Sequence, residues 1–165
     1  IIYKMIYDKL TKGDDGIYHV NAYTDERKKY FIQLNDVTIT DVDNDIVFDP
    51  SNTEKVDIVH EQVIKDAIDN SESWFGKKLA EKTLRAAYTR EDAISADSIP
   101  DTKIFNNDKE ILQDFSMSEL KAGDRCSVIV EFAGLWFAKK AFGPSWNGSQ
   151  LAWFVRSVRN GRGRR

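Results

Sequence analysis

The chain has 165 residues, 41% hydrophobic and 31% charged, with 24 basic residues against 27 acidic ones and a net charge of −3. That length and balance describe one ordinary soluble globular domain, able to bury about two-thirds of the surface its unfolded chain exposes, and they exclude any need for a metal or a disulfide framework. The net charge conceals an asymmetry, since residues 1–124 carry 16 Lys and Arg against 26 Asp and Glu (−10) while residues 125–165 carry 8 against the single acid Glu131 (+7).

The first section reads as β. Ile2, Tyr3, Met5, Ile6 and Tyr7 precede the turn Lys12-Gly13-Asp14-Asp15-Gly16, and Ile17, Tyr18, Val20, Ala22 and Tyr23 come after it, which predicts a hairpin. Asp25-Glu26-Arg27-Lys28 predicts a second turn, into the short strands Tyr30–Leu34, Val37–Thr40 and Ile46–Phe48. Ser51 and Glu54 then stand at capping-box spacing, and Val56, Val59, Val63 and Ala67, flanked by Ile64 and Ile68, form an apolar stripe opposite Lys55, Glu61, Lys65 and Asp66. This predicts a helix stopped at Asp69-Asn70-Ser71. A second amphipathic segment comes after Trp74-Phe75-Gly76, from Lys77 to Tyr88, and Ser95 to Asn107 reads as an extended connection.

Strand character returns after the turn Lys121-Ala122-Gly123-Asp124. Arg125 to Phe137 is the strongest strand in the chain, Lys139-Lys140 and Gly143-Pro144 supply the next turn, and Ser149 to Val158 predicts a closing strand. The order strands, helices, strands predicts a mainly β fold with a helical insertion (α+β), an OB-like antiparallel β-barrel. Residues 1–158 are expected to form this single domain, with the insertion at about 51–90 and a basic Arg/Gly tail at 159–165. The run Phe132–Phe137, extended by Ala138, falls far short of the roughly 20 apolar residues of a membrane span, and no signal-peptide pattern opens the sequence. Cys126, the only cysteine, sits in an apolar run, so the expected setting is intracellular and reducing.

Functional expectation centres on Gly134 to Trp146, where aromatics alternate with lysines. A protein that holds single strands without reading sequence needs flat apolar faces for unpaired bases, interleaved with cations for the phosphates; each stacked base is worth about 1–3 kcal/mol. Trp136, Phe142 and Trp146 are the candidate platforms, and Arg125, Lys139 and Lys140 the candidate phosphate contacts; Trp153, Arg156 and Arg159 extend the set toward the tail. Strand alternation turns half of these inward: with Leu135 and Phe137 in the core Trp136 faces out, and in the opposite phase Trp136 is packing.

Gly134-Leu135-Trp136-Phe137 with Phe142-Gly143-Pro144-Ser145-Trp146 after it resembles the signature of the single-stranded DNA-binding proteins of nucleocytoplasmic large DNA viruses, a group similar to the phage OB-fold replication proteins. Trp74-Phe75-Gly76-Lys77 before a helix, and Leu120-Lys121-Ala122-Gly123 before Val128-Ile129-Val130, extend the resemblance over residues 74–146. It implies an OB fold, cooperative coating of single strands during viral DNA replication, recombination or repair, no cofactor, and a place in the host cytoplasm or nucleus. One departure is the ending Arg159-Asn160-Gly161-Arg162-Gly163-Arg164-Arg165, where such proteins often carry an acidic tail. It resembles the arginine-glycine segments of flexible nucleic-acid binders.

The expected partner is therefore single-stranded DNA, with RNA left open, and replication proteins or further copies of the chain beside it; no membrane, metal, cofactor or catalytic residue is expected. Asp41-Val42-Asp43-Asn44-Asp45 begins like a calcium loop, but Ile46 and Asn52 occupy the places that require glycine and glutamate. His19 and His60 lack ligand partners at zinc spacing. Two other readings stay open: a protein-protein module using the same tryptophans, and a small metal-dependent nuclease.

Overall fold

The structure, a computed structural model, describes residues 4–43, 45–96, 104–105, 110 and 120–155; the side chains of 104–105 and 148–155 lie outside that description. Its elements are β1 (Met5–Tyr7), β2 (Thr11–Lys12), β3 (Tyr18–Thr24), β4 (Tyr30–Asp41), β5 (Ile46–Pro50), α1 (Glu54–Asp69), α2 (Ser71–Phe75), α3 (Glu81–Ala87), β6 (Ile94–Ala96), β7 (Ile104–Phe105), β8 (Arg125–Phe137) and β9 (Phe142–Val155). Strands stand on both sides of a helical insertion, as the sequence predicts. The pairing order is β1-β3-β8-β4-β5-β6, with β2 on β3 and β7 and β9 off that path, and among the described strands no pairing returns from β6 to β1, so the sheet is not closed. The chain gathers into two compact units, one of residues 1–30, 54–91 and 132–145 and the other of 31–53, 92–131 and 146–165.

In the first unit, β1 and β2 both pair antiparallel with β3, placing Met5 opposite Thr24 and Lys12 opposite Tyr18. The other edge of β3 pairs with the end of β8, Tyr18 opposite Phe137 and Asn21 opposite Gly134. The stripe of α1 is buried as its three- and four-residue spacing requires: Val56, Val59, Val63 and Ala67 are all within 1% of full burial. Ile68, at the margin of that stripe, stays 38% exposed. Each fully buried apolar side chain here contributes about 1.5–3 kcal/mol. Asp66, expected on the solvated face, is instead partly buried and accepts the Tyr7 hydroxyl at 2.6 Å, which ties β1 to α1.

The second unit is built on aliphatic contacts. β4 pairs with β5 (Val37 opposite Pro50, Ile39 opposite Phe48) and β5 with β6 (Phe48 opposite Ile94). The start of β8 runs along β4: Ser127 Oγ donates to the Asn35 carbonyl at 2.5 Å, and Ile39 N–H to the Asp124 carbonyl at 2.9 Å. Ile32, Leu34, Val37, Ile39, Ile46, Phe48, Ile94, Cys126, Val128 and Val130 fill its core.

Two local expectations are corrected. The predicted strands Tyr30–Leu34 and Val37–Thr40 are one strand, β4, whose inward set shifts phase between Leu34 and Val37. The helix starts at Glu54, later than the capping box implies, because Ser51 N–H is donated to the Asp36 carbonyl at 2.8 Å and prolongs the sheet. α1 stops at Asp69, as the sequence predicts; after Asn70 a separate short helix, α2, opens at Ser71 and closes at Gly76 in a left-handed cap (φ 81°) whose N–H reaches the Glu72 carbonyl.

Candidate nucleic-acid interface

At the end of β8 the Ala138 N–H donates to the Ala141 carbonyl at 2.8 Å, so Lys139 and Lys140 form the tip of a tight hairpin into β9. Phe137 and Phe142 flank the tip with their rings stacked 5.9 Å apart at 9°. Both are driven inward against the helical insertion: Trp74 lies 5.5 Å from Phe137, Phe75 lies 5.6 Å from Phe137 and 5.2 Å from Phe142, and Tyr88 lies 5.1 Å from Phe142. This aromatic block fixes the hairpin, since aromatic pairs in tilted or edge geometry add about 0.5–1.5 kcal/mol each beyond their area.

The opposite face of the same strands is partly exposed. Trp136 stands directly across from His19, which stands across from Thr11, so the three form a row over β8, β3 and β2. On its other side Trp136 covers Gly143: a Cβ there would meet the indole Cζ2 at 2.8 Å and Cε2 at 2.9 Å. Glycine is therefore the seat that lets the indole lie down on β9. The ring is partly buried, and its N–H finds no acceptor among the described residues. The His19 side chain is 40% exposed with Asp15 Oδ1 4.0 Å from Nε2.

The phase of β8 explains this geometry. Cys126, Val128, Val130 and Phe132 turn inward at even positions, Leu135 and Phe137 at odd ones. The break falls at Gly134, whose φ of 142° suits glycine alone and whose missing Cβ would lie 1.9 Å from the Val20 carbonyl oxygen. The phase with Leu135 and Phe137 inward and Trp136 outward is the one observed.

The expected site residues fall into separate groups. Lys139 and Lys140 are exposed, and neither meets a carboxylate among the described residues. Phe142 is corrected: at 0% exposure it is core and offers no face to a base, because it stands beside Phe137 under the helices. Arg125 is exposed, but its guanidinium is clasped by both carboxylate oxygens of Asp36, leaving a neutralised pair. Trp146 is partly buried in β9, in the second unit. Trp153 lies opposite Ile104 in the parallel β7–β9 register, its side chain outside the described residues, as are Arg156, Arg159 and the rest of the tail. His19 and Thr11 share this face without a motif to mark them, although the alternation of β3 around the buried Val20 turns His19 away from the core and Thr11 of β2 pairs across from it.

Several titratable groups away from this face are tied into the fold. His60 is 1% exposed, with Nδ1 2.7 Å from the Tyr88 hydroxyl and Nε2 3.3 Å from the Glu91 carbonyl, so both nitrogens are satisfied. Burial first, and then the Asp66 charge, pushes the Tyr7 hydroxyl far up; burial also raises Asp66 against the opposing hydrogen bonds from Tyr7 and Gln62. Cys126 is buried and forms no disulfide. Of the Asp41–Asp45 segment, Asp41 ends β4 and its Oδ1 accepts the Asp43 N–H, and among the described residues no three His, Cys, Asp or Glu converge as metal ligands. No helix among those residues is long and apolar enough to cross a membrane.

Fold and surface together define a mainly antiparallel β protein with a helical insertion and an aromatic, lysine-tipped hairpin. The chain belongs to a family of unknown function (DUF5871), whose model matches residues 35–158. No match was found among curated protein sequences. Among solved structures it is similar to the single-stranded DNA-binding protein from bacteriophage Enc34 in complex with ssDNA, at 15% identity and a TM-score of 0.46 over 93% of this chain and 95% of that one. A likeness of that size assigns no function by itself.

Proposed function

We propose that this protein binds single-stranded nucleic acid, DNA by preference, on the partly exposed face of its first unit, without a catalytic step. The observation that carries the reading is Trp136: an indole seated on Gly143, with an unused N–H among the described residues, beside two exposed lysines that no carboxylate there neutralises. Bases stack on the indole and His19 flanks them, while Lys139 and Lys140 meet the phosphates; only unpaired bases expose the faces this requires. The charge of +7 carried by residues 125–165 favours the same polyanion. In the setting implied by the sequence resemblance, a replicating DNA virus, the protein covers and protects exposed single strands, with Trp146, Trp153, Arg156 and Arg159 as further contacts.

The test is fluorescence anisotropy with a labelled oligo-dT of about 30 nucleotides, several site sizes long, and a matched duplex, each at low and moderate salt. Salt-sensitive binding selective for the single strand is expected, and Trp136→Ala should weaken it by about 1–3 kcal/mol, roughly 5- to 150-fold, while remaining folded. Absence of binding to either strand form at low salt would defeat the reading; binding of a protein partner that salt barely affects would point to an aromatic hot spot instead.

A further inference from the structure

Two lysine pairs far apart in sequence come to the same end of the first unit. Phe75, the last residue of α2, packs on Phe137 at 5.6 Å and on Phe142 at 5.2 Å between ring centroids. Those two phenylalanines bracket the tip Lys139-Lys140, and Phe75 leads directly into Gly76-Lys77-Lys78. The loop after α2 is also held in shape. Gly76 takes the left-handed conformation that ends the helix, and Ser71, 2% exposed, clamps the loop backbone: its Oγ donates to the Lys77 carbonyl at 2.7 Å and accepts the Leu79 N–H at 2.7 Å. Lys77 and Lys78 are both exposed, and neither makes an ion pair among the described residues. A buried hydroxyl thus fixes the backbone of two solvent-facing cations, which lowers the ordering entropy that phosphate contacts otherwise require.

We infer that Lys77 and Lys78 form a second phosphate-contact site, continuous with Lys139 and Lys140, which takes the sugar-phosphate backbone of a single strand as it leaves the Trp136 face. This rests on the single-strand reading proposed above and adds to it a backbone site on the helical insertion. Glu81, the nearest acid in sequence, is taken by Arg85 at 2.8 Å, and Glu72 lies in α2, before the loop.

The test compares salt dependence of oligo-dT binding for the parent chain, for Lys77→Ala with Lys78→Ala, and for Lys28→Ala with Lys29→Ala. The last pair removes the same charge from exposed lysines of the same unit at the turn after Thr24, the opposite end of β3 from Tyr18 and its partner Phe137. Each single-strand phosphate contact contributes about −0.7 to the slope of log K against log salt, so the 77/78 variant should lose about 1.4 from the slope, and between roughly 50 and 200 mM salt its affinity should fall about sevenfold less than the parent's. The 28/29 variant should keep the parent slope. A parent that binds, with an unchanged slope in the 77/78 variant or an equal loss in the 28/29 variant, overturns the second site and leaves the single-strand reading standing. A parent that does not bind overturns both.

Discussion

In its first half β8 lies along β4 over an aliphatic core, and its one exposed cation, Arg125, is clasped by Asp36; beyond Gly134 the same strand packs its inward side against aromatic rings from the helices, and the cations just past its end, Lys139 and Lys140, are unpaired among the described residues. The difference separates two uses of a charged strand surface. A carboxylate partner makes a cation part of the fold's own electrostatics, whereas a lysine at a hairpin tip, held by the packing of its neighbours, keeps its charge available for a phosphate. An aromatic residue is sorted the same way: Phe142 is sealed by Phe75 of α2 and by Tyr88 after α3, and Trp136, partly exposed, lies on a glycine of β9.

The most severe way to break this contrast is Gly134→Ala, since the new Cβ meets the Val20 carbonyl and the φ of 142° disfavours any side chain. Strain and overpacking together should cost about 4 kcal/mol or more, seen as a large drop in the urea midpoint and loss of amide protection in β3. Phe142→Ala should cost about 3–5 kcal/mol by the same urea measurement, whereas Trp136→Ala, on the partly exposed side, should lose clearly less stability and show its effect in binding. If the two costs are equal, the inner and outer sides of the hairpin are not distinct.

A finer test sets the cations against each other. Lys139→Ala with Lys140→Ala should reduce the salt slope of oligo-dT binding by about 1.4, and Arg125→Ala should leave it nearly unchanged because Asp36 already neutralises that charge. The smallest effect concerns another clasped arginine. Arg85 donates to both oxygens of Glu61 at 2.9 and 3.0 Å, and this hydrogen bonding, ahead of the Arg85 and Arg90 charges and against a little desolvation, holds the Glu61 carboxyl below its ordinary value. A depressed folded-state value means the stabilisation is present above the unfolded value and is lost as pH falls through the folded one. Carboxyl NMR should therefore find Glu61 titrating low in the parent and higher in Arg85→Ala; with both groups nearly half exposed, the gain in stability should be slight.

Much of this molecule is legible from residue pattern alone. The α1 stripe and the strand–helix–strand order come from periods of 3.6 and 2, which report how a chain divides its faces; the period of 2 leaves both phases of Trp136 open, and the burial of Leu135 and Phe137 decides between them. What periodicity cannot report is which distant segment covers a face, so α2, the buried His60 and the Arg125–Asp36 clasp are not visible in it. Phe142 is instructive because its burial has a local signal: once Lys139-Lys140 is taken as the turn, Ala138 faces Ala141 and Phe142 falls beside Phe137, which the same alternation assigns to the core. The phase break at Gly134 has a weaker one, a glycine inside an otherwise strong strand.

The interleaving of the two units sets when folding can finish relative to synthesis. The first unit is assembled from residues 1–30, 54–91 and 132–145, so Trp74, Phe75 and Tyr88 must wait for Phe137 and Phe142 to leave the ribosome before their block can close. Neither unit is an uninterrupted stretch that could finish early on its own. Folding therefore comes late, through contacts of long sequence separation, and until then the nascent chain carries uncovered aromatic surface of the kind chaperones hold.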